Sequence, residues 1–254
     1  MRQVAVLVGS AVAIVGAFLG SGAAGGQDQR EVGDGALAAD ATPVAPGEPA
    51  FTIWSVIYTG LVLYAIWQAL PAQRADARQR RLGWLVLASM VLNALWIAVV
   101  QAELLWLSVP VILVLLGTLL VVLVRLREHP AGGRVETVVV DGTLGLYLGW
   151  VVVATVANTA AVLTAEEVGT VSDAWAVVAL AIAGAAGVAL AIWTRGRLAI
   201  GAAIVWGLVW VVVARTTGDL LSPPAAAAAG VAAGVVLLAT IGMQVWRLRG
   251  SDGP

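Results

Sequence analysis

The chain has 254 residues, 61% hydrophobic and only 11% charged, whereas a soluble domain carries about 25% charged residues. With so little polar material the chain reads as all-α, a polytopic membrane helix bundle, because open sheet edges find no hydrogen-bond partners in lipid. A net charge of −1 gives no reason to expect a nucleic-acid partner; zero cysteines exclude disulfides and thiolate chemistry, and the lone His129 excludes a two-histidine metal or haem-iron site within one chain.

Eight apolar segments follow one another, at about 4–24, 51–70, 82–101, 104–124, 138–163, 174–194, 198–214 and 224–246. Each approaches the roughly 20 residues that cross a bilayer as a helix. All 14 basic residues are arginine. With the N-terminus inside, Arg2, Arg74, Arg78, Arg80, Arg81, Arg125, Arg127, Arg134, Arg195, Arg197, Arg247 and Arg249 fall on the inner side, leaving only Arg30 and Arg215 outside. Asp28, Glu31, Asp34, Asp40, Glu48, Glu166, Glu167 and Asp173 fall in outer loops. Both termini are therefore expected in the cytoplasm. This polarity suits a multi-pass protein of a bacterial inner membrane.

The first segment is read as a retained helix, with Gly16-x-x-x-Gly20 as a close-packing motif. The small residues Gly22-Ala23-Ala24 leave a cleaved signal peptide as the alternative. Residues 25–50 form the longest outer loop, either a lid or a loose connector. The second segment, AFTIWSVIYTGLVLYAIWQALPAQ, begins after Pro43, Pro46 and Pro49 and carries Trp54 one turn from Tyr58. On the third, Asn93 and Trp96 are three residues apart and share a helix face. A short turn at Gln101–Leu104 makes the fourth segment its antiparallel neighbour. Pro110 and Gly117 are the fourth segment's only punctuation, and it is expected to pack or face lipid.

The fifth segment, DGTLGLYLGWVVVATVANTAAVL, sets Tyr147, Trp150, Ala154 and Asn158 on one helix face. Such a stripe lines a pocket or hydrogen-bonds across a helix interface. Gly145-x-x-x-Gly149 offers close approach, and Asp141 reads as a helix cap, with a proton-linked role as the alternative. The last three segments are Ala-, Val- and Gly-rich, with Trp206 and Trp210 an i,i+4 pair and Gly230-x-x-x-Gly234 a packing motif. They look like an appended wall or a subunit-contact surface. Of the 11 tryptophans, Trp54, Trp67, Trp84, Trp106, Trp175, Trp193 and Trp246 sit near helix ends, as an interfacial belt requires. Trp96, Trp150, Trp206 and Trp210 lie deeper, where an indole N–H needs a partner.

Three places together resemble the TspO/MBR group, the tryptophan-rich sensory proteins related to the translocator protein. They are Trp54-x-x-x-Tyr58 after a proline-rich loop, Leu92-Asn93-Ala94-Leu95-Trp96, and Tyr147-Leu148-Gly149-Trp150 followed by Ala154-Thr155 and Asn158. The resemblance covers residues 1–163 and implies a five-helix unit there, with 164–254 as three additional membrane helices. It further implies a flat hydrophobic ligand, typically a porphyrin or related tetrapyrrole, between helices two, three and five. Trp54, Asn93, Trp96, Trp150 and Ala154 would line the pocket, and Tyr58, Tyr147 and Asn158 would support it. The chain departs from the family in its outer loop, which lacks the Trp-Tyr and Lys-Pro-x-Trp pattern, and in lacking Pro-Pro after Trp96. It also has no aromatic-plus-basic sterol motif after Asn158.

The expected function is that of a membrane receptor or carrier for such a ligand, without a resident cofactor. A secondary transporter of a small metabolite and a membrane assembly or regulatory partner are the alternatives. Catalysis is not expected, because no Ser-His-Asp set or paired intramembrane carboxylates are present. Membrane lipids are the expected surroundings, and the small-residue motifs suit a homodimer.

Overall fold

The computed structural model describes residues 1–20, 35–166, 168 and 172–250. Gly22-Ala23-Ala24, Asp28, Arg30, Glu31, Asp34 and Glu167 lie outside the described residues. Eight apolar helices follow in order: α1 (Arg2–Gly20), α2 (Ile53–Ala69), α3 (Ala77–Gln101), α4 (Leu105–Glu128), α5 (Arg134–Ala165), α6 (Asp173–Thr194), α7 (Leu198–Thr217) and α8 (Pro223–Gly250). Among the described residues there is no strand. Among the described residues seven helices, α2 to α8, are long and apolar enough to cross a membrane, and α1 is a shorter apolar helix over its described side chains. The protein is a multi-pass membrane helix bundle.

Local chemistry sets the helix ends. Pro49 opens a 3-10 turn over Glu48–Thr52 that runs into α2, a position where the missing proline N–H costs nothing. The Asp76 carboxylate accepts from Gln79 N at 2.7 Å and caps α3. At the end of α6, Arg195 is left-handed and Gly196 has φ +75. Gly196 also faces the α8 backbone so closely that a Cβ would stand 2.4 Å from Gln244 N. Within α5, Thr137–Gly142 is wound as a π-helix, a wider turn that often marks functional positions.

The chain divides into two compact units, Met1–Gly33 with Trp54–Leu148, and Asp34–Ile53 with Gly149–Pro254. In the first, α3 packs against both α1 and α4. Its inward stripe is Leu82, Val86, Ser89, Met90, Asn93, Ile97 and Val100. The Gln3 side chain donates to the backbone oxygens of Gln68 and Leu70, and the Gln68 side chain returns a bond to Gln3 O at 3.0 Å. These bonds tie α1 to the end of α2. Gly60 brings α2 against α5, since a Cβ there would lie 2.3 Å from the Thr143 hydroxyl.

In the second unit α8 packs against α6 and α7. The close approaches fall at Gly149, Gly184, Gly187, Gly201 and Gly207. At two motifs singled out in the sequence the described glycines are not used this way: Gly16 and Gly234 have nothing within 4 Å of a built Cβ, and Gly230 has only Val212 at 3.8 Å. Spacing alone does not say which side of a helix meets a neighbour.

Gly149 should be the least replaceable of these positions, because its Cβ would sit 2.4 Å from the Ile200 carbonyl oxygen, a backbone atom. Gly149→Ala is expected to destabilise the protein by about 1–3 kcal/mol, and Gly234→Ala to leave it nearly unchanged. Thermal unfolding in detergent, followed by tryptophan fluorescence, measures both.

Candidate functional site

In the first unit, α2, α3 and the first part of α5 bring aromatic rings and amides together. Trp54 and Tyr58, one turn apart on α2, stack with centroids 5.2 Å apart and planes 19° from parallel. Tyr147 meets Trp54 edge-on at 5.9 Å. The Asn93 Nδ2 donates to the Tyr58 hydroxyl at 2.9 Å, and the Tyr147 hydroxyl donates to Ser89 O at 3.0 Å. The Tyr147–Ser89 bond exploits a property of α3: the Ser89 hydroxyl turns back to Val86 O, leaving the Ser89 carbonyl to accept from outside the helix. Asn93 is 2% exposed, and its Oδ1 has no hydrogen-bond partner among the described residues. Trp96 is buried on the same helix.

The other three predicted residues lie on the continuation of α5 in the second unit. Trp150 is 1% exposed and stands edge-to-face with Phe51, centroids 5.7 Å apart. Asn158 is buried and Ala154 half-buried. The α5 stripe is therefore turned inward along its length. The structure assembles Trp54, Tyr58, Asn93 and Tyr147 into one cluster and pairs Trp150 with Phe51, which the sequence did not single out. Phe51 precedes Trp54 by three residues, one turn earlier, and that spacing was the available signal.

A further group was legible only as unexplained indoles. The proline-rich segment before α2 is strapped along α7, with Trp206 Nε1 donating to Ala50 O at 2.9 Å and Gly47 N donating to Trp210 O at 3.1 Å. Thr42, Val44, Ala45, Pro46, Gly47 and Ala50 are buried. The described part of the segment before α2 is thus a docked strap, and α7 is its anchor. Three of the four contact groups are backbone atoms, which leave no trace in side-chain identity.

A family model described as TSPO-like protein matches residues 3–242. The chain belongs to the TSPO-like family. The match runs beyond Leu163 through most of α8, so it takes in the three C-terminal helices as well. No curated protein and no solved structure matches the chain. The interior of this TSPO-like protein is lined by aromatic and polar side chains, an arrangement suited to binding a ligand.

At the other end of α3 from Asn93, the TSPO-like chain carries an ion cluster. Arg78, 5% exposed, reaches Asp141 at 2.6 Å and Glu136 at 2.8 Å, and its Nε donates to His129 O at 2.7 Å. Gln79 Nε2 and Gly132 N also donate to Glu136. Asp141 is therefore no helix cap. It lies inside the π-helical turn, and the helix start that would need a cap is seven residues earlier, at Arg134. No group of three or more His, Cys, Asp or Glu that could hold a metal occurs among the described residues.

Removing one member of such a cluster leaves the others charged and partly desolvated, which costs about 3–5 kcal/mol. Arg78→Met should destabilise the TSPO-like bundle by that order. Adding Asp141→Asn to it should recover part of the loss, because one of the two stranded carboxylates is then neutral. A double-mutant cycle from denaturant unfolding in mixed micelles reads the coupling.

Proposed function

We propose that this membrane protein is a receptor or carrier for a flat hydrophobic ligand, a porphyrin or related tetrapyrrole, taken up at the Trp54, Tyr58, Asn93, Trp96 and Tyr147 cluster. The supporting observation is Asn93: a buried carboxamide whose Nδ2 is held by Tyr58 while its Oδ1 has no partner among the described residues. A buried acceptor left open costs about 1–3 kcal/mol, and an arriving N–H or O–H would recover it. The faces of Trp54 and Tyr58 match a planar π-system, so stacking and one directed hydrogen bond act on the same ligand. Trp150, Ala154 and Asn158 retain their proposed part in ligand binding through the family pattern on α5, Ala154 as the small residue beside a bulky guest.

In this reading the protein sits in a bacterial inner membrane with both termini cytoplasmic, as the arginine distribution argues. The small-residue helix faces suit a homodimer. Residues 1–163 would be the binding unit, and 164–254 the helices that anchor its strap.

A second reading, secondary transport of a small metabolite, gains one observation: the Arg78–Glu136–Asp141 cluster at a π-helical turn within a membrane-spanning helix. Ionisable residues on membrane helices that face the bundle interior often mark substrate or proton pathways.

Titration of the purified protein with protoporphyrin should quench its tryptophan fluorescence saturably. Asn93→Leu should weaken binding about 5- to 15-fold, the equivalent of one hydrogen bond, and Trp54→Ala should weaken it further. Quenching that is linear and non-saturating, or an affinity untouched by both substitutions, would count against this site.

A further inference from the structure

The second unit contains a buried cation that its own neighbours leave incompletely satisfied. Arg215, in the last turn of α7, is only 2% exposed. One of its terminal nitrogens donates to the carbonyl of Ala39 in the strap. Its Nε and Nη1 have no hydrogen-bond partner among the described residues. Asp40 is exposed and bears on Arg215 through space, but no ion pair forms between them. The contrast with Arg78 is instructive: that arginine, equally buried, has two carboxylates in contact.

A guanidinium stays charged in proteins, and it is built to take an oxyanion in a planar fork. Burying it against a single carbonyl leaves most of its desolvation uncompensated. Its partner Ala39 belongs to a short run of turns, in which Ala38 N donates to Gly35 O and Ala41 N to Ala38 O. Residues 35–39 and 41 are half-exposed and Asp40 is exposed, so this tract is more open to the surroundings than the buried strap residues Gly47 and Ala50. Thr42, three residues after Ala39 in the strap, is buried, and its hydroxyl has no partner among the described residues.

The structure assigns Arg215 as the centre of an oxyanion site, one that takes a carboxylate- or phosphate-type group beneath the Gly35–Thr42 turns. The anion is a soluble one or a lipid headgroup; the same chemistry serves both. The site lies wholly in the second unit and does not depend on the ligand proposed for the aromatic cluster.

The test uses the full chain in a neutral detergent, with thermal unfolding read by tryptophan fluorescence. Sodium phosphate and sodium acetate are compared with sodium chloride at matched ionic strength, and phosphatidylglycerol with phosphatidylcholine in mixed micelles. A ligand that binds only the folded state at a hundred times its Kd should raise Tm by about 5–10 °C. A rise with the soluble anions identifies a free anion, and a rise with phosphatidylglycerol alone identifies a headgroup. Arg215→Gln, which keeps a donor for Ala39 O but no charge, should abolish either rise. Arg215→Lys, which keeps the charge without the fork, should bind about tenfold more weakly and gives the same reading if the glutamine variant does not fold. The assignment is overturned if no anion moves the wild-type Tm. A rise of full size in Arg215→Gln, or an undiminished affinity in Arg215→Lys, overturns it equally.

Discussion

A polar group inside an apolar bundle has no water to fall back on, and most of the informative geometry in this protein follows from that constraint. Asn93 turns to Tyr58, Tyr147 to the Ser89 carbonyl, and Trp206 to the Ala50 carbonyl. Gln3 and Gln68 bond each other's backbones across two helices. Arg78 gathers two carboxylates and a carbonyl. Each bond joins segments far apart in sequence, so satisfying the buried groups also decides which helices become neighbours. Where a buried group stays open among the described residues, as at Asn93 Oδ1 and on the Arg215 guanidinium, the two proposed sites are built on it.

The first unit separates aromatic and ionic chemistry along α3. Asn93 and Ser89 serve the aromatic cluster; Arg78 and Gln79, three to four turns earlier, serve the ion cluster. One helix therefore couples two chemistries through a rigid rod about 15–20 Å long. The π-helical turn beside Arg78 displaces Asp141 from the regular α-helical register, and its carboxylate meets the guanidinium.

The second unit gives the C-terminal helices a role that their composition hides. The α7 helix holds the strap by its Trp206 side chain, the Trp210 carbonyl and the Arg215 side chain. The strap's own contributions are the Ala39 and Ala50 carbonyls and the Gly47 amide. A proline-rich segment is well suited to this, because prolines interrupt a regular α-helix and leave carbonyls such as those of Ala39 and Ala50 available to partners. Ala- and Gly-rich α6 and α8 then serve as close-packed support, near enough that added methyl groups at Gly184 or Gly187 of α6 would overlap Ala232 and Val236 of α8.

Sequence alone settled the class of molecule and the number and order of its helices, because hydropathy over 20 residues is a local quantity and each span carries its own signal. It also placed Trp54, Tyr58, Asn93 and Tyr147 in one family pattern, since their spacing on individual helices is visible in the chain. What it could not supply was any relation mediated by backbone atoms or by the facing side of a neighbour. The strap on α7 uses carbonyls and amides that every residue possesses. The Arg78 cluster depends on a π-helical turn that no residue type announces, which is why Asp141 read as a cap. Gly16 and Gly234 were visible but meet no other element within the chain, while Gly149 and Gly60 lie at tight contacts, because a glycine closes an intrachain contact only where another element arrives. Those contacts exist only once the helices have assembled, and there the tertiary structure decided.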